Sequence, residues 1–315
     1  MYTLIMSKFD RMEELQKRLA DNPDDFQLRL NFAILLTDNN YPEDALKHFL
    51  YLVKNFKENS QIFYYLGITY EKLQNPDKAI EAYEKAIEIT PDDADSYYNL
   101  GLIYTDKRMY EKAVDCFEHV LETDNNDSNS YFSIGLCYFK EEKYDAAKYY
   151  LQRAAEINDN DIYAHFYLGN IYKSEGDNTS AREKFNKVLS INPDYSWAYY
   201  NLAVIDFESG DLFSVIQNLE KTLELNPRDV GAYKIYAKLL AKNEEFDAAD
   251  NLIDTALNNC PEEGDLYYIK AQIDKMSGRQ EDYVQNLNNA IKYSNTLSVL
   301  PKLVKKELEK FDNKI

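Results

Sequence analysis

The chain has 315 residues, of which 45% are apolar and 29% charged, enough for a packed core. Asp and Glu outnumber Lys and Arg by 55 to 36, and the resulting formal net charge of −19 repels nucleic-acid phosphates and anionic membrane surfaces. No apolar run approaches the ~20 residues of a membrane span, and Cys116, Cys137 and Cys260 fit neither a disulfide framework nor a metal site.

In chain order, the first feature is a helical stripe: Ile5, Phe9, Met12, Leu15 and Leu19. No cationic region precedes it, so Met1 to Asp10 does not read as a signal peptide, and a reduced cytoplasmic setting is expected. Residues 1–25 are expected to form an N-terminal capping helix. A partner-binding or dimerising helix would show the same amphipathic stripe.

An internal repeat follows. Gly67, Gly101, Gly135 and Gly169 stand 34 residues apart, and the same step reaches Ala33, Ala203, Ala237 and Ala271. With that small residue as position 8, eight units result: 26–59, 60–93, 94–127, 128–161, 162–195, 196–229, 230–263 and 264–297. Position 20 holds Ala45, Ala79, Ala113, Ala147, Ala181 and Ala249, with Val215 and Tyr283 as departures. Position 24 is always bulky, from Phe49 and Tyr83 to Ile253 and Leu287. Within 94–127, Tyr97, Leu100, Gly101 and Tyr104 keep helical spacing, as do Ala113, Phe117, Val120 and Leu121. Breaks at Gly176-Asp177, Gly210-Asp211 and Gly278-Arg279 split the units in two, and Asn192-Pro193 and Asn226-Pro227 end them. Each unit is therefore helix A, a tight turn and helix B. Residues 298–315 carry Leu300, Val304, Leu308 and Phe311 and are expected to form a C-terminal capping helix.

The 34-residue period and this residue pattern resemble the tetratricopeptide repeat over 272 of the 315 residues. The first and last units fit worst, with Arg29 and Lys270 at positions normally apolar. The resemblance implies an all-α fold: a right-handed superhelical α-solenoid of helix-turn-helix units with a capping helix at each end.

The chain carries no Gly-rich phosphate loop, no paired-Cys motif and only three histidines, His48, His119 and His165, so it is not expected to be an enzyme or to hold a cofactor or metal. The resemblance implies instead an interaction scaffold or adaptor that binds an extended, acidic or C-terminal peptide of a protein partner in the concave groove. An alternative is the recruiting or regulatory part of an enzyme system, such as a transferase, whose catalytic domain lies on another chain or outside this sequence. The expected partner is a protein, not nucleic acid or an inserted membrane; a monomer is favoured over a homo-oligomer.

In the repeat family, positions 2, 5, 6, 9, 12 and 13 of helix A face the groove. Those positions select Tyr64, Tyr98, Phe132, Phe166, Tyr200 and Phe207 as an aromatic wall, and Asn99, Asn170 and Asn201 as amides able to grip a peptide backbone. Lys234, Lys238 and Lys242 lie at i, i+4 and i+8 on one face, in a stretch (230–243) without a single acid, and Lys275 follows in the last unit. They are the expected anchor for an anion. The carboxylate clamp of chaperone-binding relatives is incomplete, because Phe166, Gly231 and Ile235 stand where its basic residues are expected.

Overall fold

The computed structural model describes residues 8–312, which form eighteen α-helices and no strand. The expected roles of Ile5 and of the Phe9 and Phe311 side chains lie outside the described residues. The chain divides into two compact units, Met1–Ala164 and His165–Ile315. The first holds α1 (Lys8–Asp21), α2 (Phe26–Asp38), α3 (Pro42–Asn55), α4 (Ser60–Lys72), α5 (Pro76–Ile89), α6 (Ala94–Asp106), α7 (Tyr110–Thr123), α8 (Ser128–Lys140) and α9 (Tyr144–Ile157). The boundary falls within α10 (Ile162–Ser174). The second unit continues with α11 (Asn178–Ile191), α12 (Ser196–Ser209), α13 (Leu212–Leu225), α14 (Val230–Lys242), α15 (Phe246–Asn259), α16 (Gly264–Ser277), α17 (Gln280–Lys292) and α18 (Pro301–Asp312). The even-numbered helices α2 to α16 are the A helices, and the odd-numbered α3 to α17 are the B helices. The fold is thus an all-α solenoid of helical hairpins within each unit.

The A helices start at a recurring cap. The side chains of Asp25, Asn59, Asp93, Asp127, Asp161 and Asp229 each accept a hydrogen bond from the backbone N–H three residues on. Each such cap stabilises its helix by about 1 kcal/mol. The A helices also end alike. The residue at position 15 is left-handed in all eight hairpins: Asn40, Gln74, Arg108, Glu142, Gly176, Gly210, Glu244 and Gly278. The next amide then donates back to the carbonyl five residues earlier, as Met109 does to Tyr104 at 2.8 Å. Glycine thus marks only three of eight identical turns.

The small residue at position 8 meets the bulky one at position 24 of its own hairpin. A Cβ on Gly101 would lie 2.7 Å from the Phe117 ring, and one on Gly169 2.7 Å from the Phe185 ring. A Cβ on Gly67 would likewise overlap Tyr83, and one on Gly135 would overlap Leu151. Ala203, Ala237 and Ala271 replace glycine in hairpins whose position 24 is Leu219, Ile253 or Leu287, all less extended than an aromatic ring. Two hairpins depart from this pairing: Ala33 faces Phe49, and glycine is kept at Gly135 opposite Leu151.

The departures from the repeat pattern have specific partners. The Arg29 guanidinium lies 3.9 Å from the Tyr51 ring centroid and donates to the Pro23 carbonyl, so its stem and charge replace a core side chain. Lys270 pairs with Asp250 and Asp254 on α15. Asp206 and Asp274 stand at position 11, where four other hairpins have tyrosine and two have leucine. Each is buried and takes a hydrogen bond at 2.8 Å from an asparagine at position 23, Asn218 or Asn286, and an ion pair from Arg182 or Arg279.

At the ends, Leu15 and Leu19 of α1 join the core with Leu28 and Phe32. Val304 of α18 is fully buried against Ala271, Tyr283 and Leu287. Glu307 of α18 accepts hydrogen bonds from Lys275 and Tyr283 at 2.8 Å and from Tyr268 and Gln272 at 3.4 Å. Burial disfavours the Glu307 carboxylate, but these donors outweigh it and hold its pKa below the usual glutamate value.

Candidate functional site

The aromatic residues at position 5 are half-buried, and much of their surface is spent on packing. Tyr64 lies against Tyr83, Tyr98 against Phe117 and Phe166 against Phe185, at ring-centroid distances of 5.5–6.1 Å; in each pair the second ring is the position-24 residue of the same hairpin. Phe132 sits beside Tyr163, and Tyr200 beside Trp197, both at 6.2 Å. A Cβ on Gly231 would come 2.9 Å from the Tyr200 hydroxyl, so Tyr200 also covers the start of α14. Phe207 stays exposed at the end of α12.

The amides differ from the expectation of open peptide-gripping groups. Asn201 is buried; its NH2 donates to the Trp197 carbonyl at 2.8 Å, and its carbonyl oxygen accepts from Lys173. Burial lowers the Lys173 pKa, and Asn201 supplies the acceptor that a half-buried ammonium needs. Asn99 lies near the hydroxyls of Tyr64 and Tyr83, the latter of which donates to Glu71. Asn170 donates to the Phe166 carbonyl at 3.1 Å, within its own helix. Through Lys173 of α10, the position-6 amide of Asn201 ties two adjacent A helices together.

The three lysines of α14 do come together, in a cavity of about 350 Å³. One wall is α14, with Lys234, Lys238, Ala241 and Lys242; the other is α16, where Tyr268, Ile269, Ile273 and Met276 supply an apolar surface. Ser298 and Val299, in the segment between α17 and α18, close one end. Positions 5, 9 and 13 of α14 thus share one space with positions 5, 6, 10 and 13 of α16.

The lysines are not equivalent. Lys234 is half-buried and donates to the Asp265 carboxylate, so it is not the open anchor expected from its helical face. Asp265 also accepts from the backbone amide and the hydroxyl of Ser298, both at 2.7 Å. Burial disfavours the Asp265 carboxylate, yet Lys234 and Ser298 more than offset it and hold its pKa below the usual aspartate value. Lys275 is likewise engaged, with Glu307 at 2.8 Å. Lys238 and Lys242 are exposed and make no ion pair among the described residues. Asp265, Met276, Ser298 and Val299 escaped the sequence reading. Positions 2 and 13 were the available signals for Asp265 and Met276, and nothing periodic marks Ser298 or Val299.

A second cavity, of about 340 Å³, lies in the first unit beside Tyr64, Tyr65, Asp93 and Asp95. Asp93 is committed there to the cap of α6, accepting from the Ser96 amide and hydroxyl. No group of three or more His, Cys, Asp or Glu able to hold a metal occurs among the described residues, and no helix among them is long and apolar enough to cross a membrane.

Family models of the tetratricopeptide repeat match residues 7–61, 94–127 and 128–161, and a TPR repeat model matches 72–108 and 169–210. No curated protein matches the sequence. Among solved structures, YrrB, described as a TPR protein with an unusual peptide-binding site, is 28% identical with a TM-score of 0.52, over 61% of this chain and 98% of YrrB. MamA is 25% identical with a TM-score of 0.51, over 55% of this chain and 94% of MamA. Yeast Tom70, at 19% identity and a TM-score of 0.53, shares the fold over 98% of this chain and 59% of its own. The periodic hairpins, their common turn, the close contact of positions 8 and 24 and these matches agree: the chain belongs to the tetratricopeptide repeat family.

Proposed function

We propose that the protein is a non-catalytic interaction scaffold that holds an extended segment of a partner protein against its A helices, with α1 and α18 as end caps and the cytoplasm as its setting. The observation that carries this reading is the cavity between α14 and α16, where apolar side chains and exposed lysines face the same space. An apolar wall with a few convergent polar groups is the usual composition of a binding site. The likeness to YrrB, itself described by its peptide-binding site, supports the same reading. The half-buried aromatics Tyr98, Phe132, Phe166 and Tyr200 then serve as stiff walls and contribute their exposed edges, with Asn170 beside them. Phe207 offers an exposed ring of its own.

Site-specific photo-cross-linking tests this. A benzophenone side chain would replace Met276, in the cavity, or Tyr149, exposed on the helix-B side of the first unit. Expected are adducts to defined partner peptides from Met276 and none from Tyr149. Adducts from Tyr149 with none from Met276 would overturn the reading.

A further inference from the structure

We infer that the cavity between α14 and α16 takes an internal, extended peptide segment in which two acidic residues flank one apolar residue. This rests on the scaffold reading above and names the ligand chemistry of that site.

Lys234, at the inner end of the cavity, is neutralised by Asp265, and that carboxylate is held by two hydrogen bonds from Ser298. A partner's terminal carboxylate placed there would meet a fixed negative charge with no cation left to receive it. The inner end is therefore closed to a chain terminus, and the usable positive charge lies further out, on Lys238 and Lys242.

These two lysines are one helical turn apart, about 6 Å along the axis of α14. In an extended chain, residues i and i+2 project to the same side about 6.6 Å apart, and the residue between them projects to the other side. Two acids so spaced can each reach one lysine. Adjacent acids cannot, because one of them would turn away. The intervening side chain would point toward α16, where Ile269, Ile273 and Met276 present an apolar surface. Charge on one wall and hydrocarbon on the other thus match the two faces of an extended segment. In a chain of net charge −19, two exposed lysines beside an apolar wall form a local cationic section complementary to such a ligand.

The test is selection from two displayed libraries of random heptapeptides on the full chain. One library is embedded between flanking residues; the other ends in a free carboxylate. The expected result is enrichment of the embedded library in acid–aliphatic–acid sequences. Their affinity should fall at least tenfold in the Lys238→Glu/Lys242→Glu variant, fall with added salt, and be partly restored toward wild type in Lys238→Arg/Lys242→Arg. Both lysines are exposed, and circular dichroism would verify that the variants stay folded. Three results would overturn the inference: enrichment confined to free C-termini, enrichment without paired acids, or binding unaffected by the charge reversal. Each of these leaves the scaffold reading standing, which fails separately if Met276 cross-links to nothing.

Discussion

Lys234 on α14 donates to Asp265 on α16, and the same carboxylate receives the amide and hydroxyl of Ser298 at 2.7 Å. One ion pair therefore joins two successive A helices to the segment that leads into α18. Gly264 reinforces the junction: its amide donates to the Thr296 hydroxyl at 2.7 Å, and a Cβ there would strike the Tyr293 carbonyl. The C-terminal helix is held by this junction and by Glu307 together.

Asp265→Ala should cost about 1–3 kcal/mol, since it strands a half-buried ammonium and two Ser298 donors. Hydrogen exchange should speed up in 298–310 before the rest of the second unit. The pH dependence follows from the pKa directions. Asp265 and Glu307 are both depressed in the fold, so their stabilisation is complete above the ordinary carboxylate range near pH 4 and is lost as pH falls through their lower folded values. Asp274, raised by burial, titrates in the opposite sense. Protection of 298–310, relative to the intrinsic exchange rate at each pH, should accordingly match at pH 7 and pH 5 and fall sharply near pH 3. Equal protection at pH 3 would count against this account.

Gly101→Ala should destabilise the first unit by about 1–3 kcal/mol, because the new methyl overlaps the Phe117 ring. Phe117→Leu alone removes buried surface and is also costly. Combined, the two should cost less than their sum, as in the hairpins that pair Ala with Leu219 or Leu287. A double-mutant cycle by denaturant unfolding reads the coupling. Strict additivity would show that position 8 does not contact position 24.

The left-handed turns make a prediction of opposite sign for two substitutions. Gln74→Gly should stabilise, since a non-glycine residue at φ of 54° pays about 1–2 kcal/mol that glycine avoids, less glycine's own entropic cost. Gly210→Ala, at φ of 80°, should destabilise by a similar amount, although nothing crowds its Cβ. Thermal melts of the two variants should shift in opposite directions.

Asn201→Ala should lower stability by about 1–3 kcal/mol through the loss of the Lys173 acceptor. A peptide captured between α14 and α16 should bind it as tightly as wild type. Lost affinity without lost stability would return Asn201 to the groove.

The sequence by itself determined the repeat, the number and register of the hairpins, the small residue at position 8 and the bulky one at position 24, and the face that carries the three lysines. These features lie within one 34-residue unit, and each recurrence restates the same steric requirement, so periodicity alone exposes them. Five of the eight left-handed turns stayed hidden because Asn40, Gln74, Arg108, Glu142 and Glu244 pay the backbone cost without declaring it as glycine. What only the tertiary structure decided is which polar groups are already taken. The partners of Lys234 and Lys275 and the lysine that Asn201 accepts from lie on neighbouring helices or on the segment after the last hairpin. They are single side-chain choices that do not repeat. A periodic pattern places a lysine on a face, but whether its charge remains for a ligand depends on one aspartate that happens to stand opposite.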